Sequence, residues 1–176
     1  KLLMLANKPP GPKPEKVYNG IELPLPWPPP FRDPNSAEPM EVPESEGAGS
    51  PFWSPDSTRL GFARSEKIWT WALAGGASTS VCPIPGTPEA NGGTIGKDGK
   101  IYFAVYRGGL YEIAAAGGVP RLILPPTPEE LDFHLPELLP DGKHLIMVAH
   151  RKEGPQPVIA VSTADGTRRD LSSFDS

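Results

Sequence analysis

The chain has 176 residues, 38% of them hydrophobic, and its 17 basic and 21 acidic residues give a net charge of -4. That balance lacks the clustered Lys and Arg that phosphate binding requires, which argues against a nucleic-acid partner; the pairs Arg151-Lys152 and Arg168-Arg169 have no interleaved aromatics and read as solvated positions. No apolar run approaches the roughly 18 residues of a membrane-crossing helix, and Cys82, the single cysteine, excludes an intramolecular disulfide or a thiolate metal cluster.

From the N-terminus, the apolar stretch Leu2 to Ala6 is too short for the centre of a secretory signal, although a remnant of one stays open. Twelve of the 25 prolines then fall in the first 50 residues, among them Pro24, Pro26, Pro28, Pro29 and Pro30. Proline fixes φ and removes a backbone donor, so residues 1–49 are expected to form an irregular, polyproline-like arm or linker instead of a helix or an inner sheet strand. Ile21, Leu23, Leu25, Trp27 and Phe31 make docking of this arm on its own domain the expectation, ahead of a role as a proline-rich ligand for another protein.

After residue 50 two landmarks recur in step. Ser54-Pro55-Asp56-Ser57, Lys97-Asp98-Gly99 and Leu139-Pro140-Asp141-Gly142 place their aspartates 42 and then 43 residues apart. Trp69, Leu73 and Ala74-Gly75-Gly76 return as Tyr111, Ala115 and Ala116-Gly117-Gly118, shifted by 42. A shared period of this length belongs to repeat architectures of the propeller class. The first unit is expected to hold strands at Phe52-Trp53, Leu60 to Arg64, Ile68 to Leu73 and Ser78 to Cys82, with Trp53 and Trp69 in the core. The second unit carries Thr94-Ile95, Ile101 to Val105, Leu110 to Ile113 and Arg121 to Leu124. The third carries Glu137 to Leu139, His144 to Ala149, Val158 to Ser162 and Thr167 to Leu171, with a longer loop at Glu153 to Pro157. Asp-Gly and Gly-Gly supply the positive φ of tight hairpin turns, so the three motif aspartates are expected to be structural. The reading is all-β: a partial β-propeller of about three four-stranded antiparallel blades, near 50–90, 91–133 and 134–176, behind the proline-rich arm.

Ser-Pro-Asp before an apolar strand, then an aromatic strand closed by Ala-Gly-Gly, resembles the TolB-type, WD-repeat-like β-propellers of bacteria over residues 50–171. The resemblance implies a ring of about six blades serving as a binding or sensor module, or as a regulatory propeller beside a kinase or peptidase, in a periplasmic or extracellular setting, with the cytoplasm left open. Val17 to Pro24, Trp27-Pro28-Pro29 and Glu38 to Pro43 are similar to the lead-in of some exported bacterial glycoside-hydrolase-like proteins, which raises carbohydrate as a ligand class. Three blades cannot close a ring that needs roughly four to eight. The expectation is therefore missing blades in a longer chain, or a homodimer completing six blades, or an arm that caps an open face.

No Gly-x-Ser-x-Gly elbow and no phosphate loop is present, since Asn91-Gly92-Gly93 lacks the following Gly-Lys-Ser, so no catalytic residue and no cofactor is assigned. Seven residues before each motif aspartate stand Gly49, Asn91 and His134, expected in the loops that enter the innermost strands and rim a central channel. Asn91 and His134, supported by Asp132 and Glu137, are the candidate ligand-binding residues. His144 and His150 share one face of a strand with Ile146 and Val148, but no third ligand is visible and no metal is assigned. The function expected is a noncatalytic binding or scaffolding module for a protein, peptide or carbohydrate; the alternative is a fragment of a propeller glycoside hydrolase or polysaccharide lyase.

Overall fold

The computed structural model of this protein describes residues 42–174 and the backbone of four short strands that precede them. The chain divides into two compact units, Lys1–Val42 and Pro43–Ser176. In the first, β1 (Val17–Tyr18) pairs with β2 (Ile21–Glu22) and β3 (Phe31–Arg32) with β4 (Pro39–Met40), both antiparallel. The remaining proline-rich residues, and with them the expectation of an extended arm, lie outside the described residues.

The second unit is three antiparallel four-stranded blades, each a meander in chain order. Blade 1 holds β5 (Gly49–Trp53), β6 (Arg59–Arg64), β7 (Lys67–Ala72) and β8 (Thr79–Pro83). Blade 2 holds β9 (Ala90–Ile95), β10 (Lys100–Val105), β11 (Leu110–Ala114) and β12 (Arg121–Leu124). Blade 3 holds β13 (Glu130–Leu138), β14 (His144–Arg151), β15 (Gln156–Ser162) and β16 (Arg168–Phe174). The partial propeller expected from the repeat is therefore the fold.

The motif aspartates brace the turns after each first strand. The Asp56 carboxylate accepts from the Ser54 hydroxyl (2.6 Å) and from the Thr58 amide (3.1 Å) and hydroxyl (2.8 Å). Asp98 accepts from the Lys100 amide (3.0 Å), and Asp141 from the amides of Lys143 (2.8 Å) and His144 (3.1 Å). A short acceptor that satisfies backbone donors two residues ahead is the reason aspartate recurs there. These bonds stabilise the charged form: the Ser54 hydroxyl and the Thr58 groups hold Asp56 down to about 2, and the His144 ring with two backbone amides holds Asp141 down to about 2.

Blade 2 is the middle of the stack, and β10 explains why it reads as an unbroken apolar run. Ile101, Phe103 and Val105 join the core shared with blade 1, built with Phe52, Ile68, Val81 and Cys82. Tyr102 and Ala104 point the other way, into the core shared with blade 3, against Phe133, Leu145, Met147, Ile159 and Val161. Alternation sends successive side chains to opposite faces, so a strand buried on both faces has no polar positions. Trp71 takes the buried place expected for its neighbours, whereas Trp53 and Trp69 are half-buried; the Trp69 indole donates to the Arg64 carbonyl (3.0 Å).

The glycines of the later outer hairpins, Gly117 in Ala116-Gly117-Gly118 and Gly166 in Ala164-Asp165-Gly166, do more than turn the chain. A Cβ on Gly117 would lie 3.0 Å from the Val81 carbonyl oxygen of blade 1, and one on Gly166 would lie 2.4 Å from the Ile123 carbonyl oxygen of blade 2. Val81 and Ile123 are themselves 42 residues apart. Each outer hairpin thus presses its bare backbone against the outer strand of the preceding blade, and glycine is required by that approach as well as by positive φ.

Candidate functional site

The inner strands carry the second row of contacts between blades. Each is bulged at the same repeat position: the pairing register shifts between Gly49 and Phe52 in β5, opposite Phe103 and Val105 in β9, and between His134 and Glu137 in β13. The residue at the bulge has positive φ in all three, Ser50 (50°), Gly92 (115°) and Leu135 (51°). A bulge inserts one unpaired residue and re-aims its neighbours, and such devices cluster near functional positions. Asn91 and His134 consequently lie within the strands, and Gly49 at the start of one, instead of in the loops expected before them; the bulge is what makes these segments look irregular in sequence.

In the first two blades the bulge ties one blade to the next. The Ser50 hydroxyl donates to the Ala90 carbonyl (2.6 Å), and the Asn91 amide nitrogen donates to the Phe133 carbonyl (3.2 Å). Ala90 and Phe133 stand at equivalent places, eight residues before their motif aspartates. Gly92 sits close against Leu135, so that a Cβ there would meet the Leu135 Cα at 3.3 Å.

Blade 3 departs from this pattern. His134 turns its Nε2 to Oδ1 of Asp132 (3.0 Å), and His150 on β14 turns Nδ1 to the same oxygen (3.0 Å), the two ring nitrogens being 3.3 Å apart. Register explains the meeting: Asp132 pairs with His150 and His134 with Val148, so the alternating positions 132, 134, 148 and 150 share one face. Asp132 is 1% exposed, and its Oδ2 accepts from the Arg107 amide (2.8 Å) in the turn between β10 and β11. A buried carboxylate needs such partners. Burial holds the His134 imidazole below the ordinary histidine value, and the Asp132 carboxylate pulls it the other way.

Of the four residues singled out by sequence, Asp132 and His134 are joined directly, and Asn91 reaches the same strand through the Phe133 carbonyl. Glu137 lies beyond the bulge opposite Ile146, exposed, with no hydrogen bond among the described residues to the other three. His150 does share a strand face with Ile146 and Val148, as expected, but its partner is His134. His144 instead bonds Asp141 through Nδ1 (2.6 Å) at the turn. Leu135, 72% exposed, was not anticipated.

Neither a protein-family model nor a curated protein matches the chain. Among solved structures it is similar to a protein classed as TolB from Agrobacterium tumefaciens, with 17% identity, TM-score 0.64, and 78% of this chain covering 53% of that one. It is also similar to an oligogalacturonate lyase in complex with manganese (15% identity, TM-score 0.55, 73% of this chain and 42% of that). A third is the extracellular domain of a protein classed as a hybrid two-component system from B. thetaiotaomicron (15% identity, TM-score 0.54, 77% and 18%). The chain thus spans about half the length of the first of these. At such identities the likeness establishes the fold, three blades of a TolB-like β-propeller.

Proposed function

We propose that these blades are part of a larger β-propeller that acts as a noncatalytic binding or scaffolding module, taking a protein, peptide or carbohydrate ligand at the inner strand of blade 3. One observation supports the reading above the rest. Asn91 directs its amide to the neighbouring blade, whereas the repeat-equivalent His134 turns to Asp132 and His150 beside an exposed Leu135 held at positive φ. An apolar side chain next to convergent donors suits the mixed apolar and polar surface of a peptide or sugar.

The remaining blades come from a longer chain or from a second copy, because rings close with roughly four to eight blades. An exported setting, periplasmic or extracellular, is supported by the likeness to an extracellular domain. The second reading, a propeller polysaccharide lyase or glycoside hydrolase, is favoured by the likeness to an oligogalacturonate lyase together with the imidazole pair. Peptide and glycan arrays probed with the chain and with Leu135→Asp test both. Saturable binding to one class, lost in the variant while its thermal melt is unchanged, is the expected result. Binding that survives Leu135→Asp would overturn the location, and turnover of a bound glycan would replace the binding module by the enzyme.

A further inference from the structure

We propose that Asp132, His134 and His150 form a site for a divalent transition-metal ion, held by two imidazole nitrogens and one carboxylate oxygen. The proposal stands independently of the ligand class assigned above. Bonds of about 2.0 to 2.1 Å from a metal to nitrogen and oxygen set neighbouring donor atoms about 2.9 Å apart in octahedral geometry and about 3.3 Å apart in tetrahedral geometry. The three donors here form a triangle with edges of 3.0, 3.0 and 3.3 Å. An ion seated above that triangle meets all three without movement of the strands.

Three further features fit a metal. The donors sit on two paired strands whose register fixes them, Asp132 opposite His150, so the site is preorganised. The ligating carboxylate is anchored from behind, its Oδ2 on the Arg107 amide, which is the outer support that metal-binding carboxylates need. The front is open: the His134 and His150 side chains are 28% and 42% exposed, so the ion keeps free positions for water or for an oxygen of a ligand. Two imidazoles suit zinc, copper, nickel or iron(II) over calcium and magnesium, which take oxygen donors.

The chain has three histidines, so the test is clean. Chelator-treated protein is titrated with ZnCl2 in a calorimeter, and separately with CoCl2 while the visible absorption of Co2+ is followed. The expected result is one ion per chain and a Co2+ spectrum indicating nitrogen ligation. His150→Ala, chosen because the side chain is half-exposed, should weaken binding roughly tenfold or more, and His144→Ala should not weaken it. No saturable binding below millimolar metal, or equal affinity in wild type and His150→Ala, would overturn the proposal. Histidine NMR gives a second readout: Zn2+ must shift the His134 and His150 ring signals and leave His144 in place, and the reverse pattern would likewise overturn it.

Discussion

Replacing Gly166 by alanine probes the contact on which blade stacking depends, and Gly142 supplies its control. Both glycines lie in turns of blade 3 at nearly the same φ, +73° and +68°. Placing an L-residue in that left-handed region costs about 1 to 2 kcal/mol at either site. Around Gly142 nothing lies within 4 Å of the new Cβ, whereas at Gly166 it would fall 2.4 Å from the Ile123 carbonyl oxygen of blade 2. Relieving an overlap of that kind by shifting packed backbone costs about a further 1 to 3 kcal/mol. Gly117→Ala, with its Cβ 3.0 Å from the Val81 carbonyl oxygen, should fall between the two. Equilibrium urea unfolding followed by circular dichroism measures the series. The expected order of destabilisation is Gly142→Ala, then Gly117→Ala, then Gly166→Ala. Equal losses for Gly166→Ala and Gly142→Ala would refute the claim that the outer hairpin presses on the preceding blade.

Asn91→Ala removes the bond from the side-chain amide to the Phe133 carbonyl and should cost about 1 kcal/mol by the same unfolding assay; no measurable loss would contradict its role as a latch. In acid, the Asp56 and Asp141 carboxyls should titrate near 2 by carboxyl NMR. Their folded values are depressed, so the stability they contribute is present above the usual value of 3.8 and is lost as pH falls from there through about 2; midpoints near 3.8 would remove that contribution. Burial pushes the Cys82 thiol up to about 11, so alkylation at pH 8 should be slow in the folded chain and fast in urea, and equal rates would contradict the packing of β8.

The residues legible in sequence are those whose chemistry is set by turns. Asp56, Asp98 and Asp141 had to accept backbone amides, and Gly75, Gly117 and Gly142 had to take positive φ, so their spacing exposed the blades. The second strand of each blade was equally plain, because β6, β10 and β14 carry strong apolar content between those turns. The innermost strands were cut short. Asn91-Gly92-Gly93 and His134-Leu135-Pro136 read as loop because the bulge interrupts alternation and puts glycine, proline and positive φ inside a strand. The same interruption hid the site: without the register shift between His134 and Glu137, the partner of Asp132 could not be read as His150. Repeat counting set Asn91 and His134 at equivalent positions, with Asp132 named beside them, and only the pairing of strands adds His150.

The arrangement of Asp132, His134 and His150 underlies both the proposed ligand site and the proposed metal site, and histidine-selective 15N NMR of the metal-free chain addresses it directly. Two rings sharing one carboxylate oxygen should respond together, so Asp132→Asn should move the ring-nitrogen signals of His134 and His150 and leave those of His144, bonded to Asp141, unchanged. A variant in which only one of the pair moves, or in which His150 changes along with His144, would contradict the account.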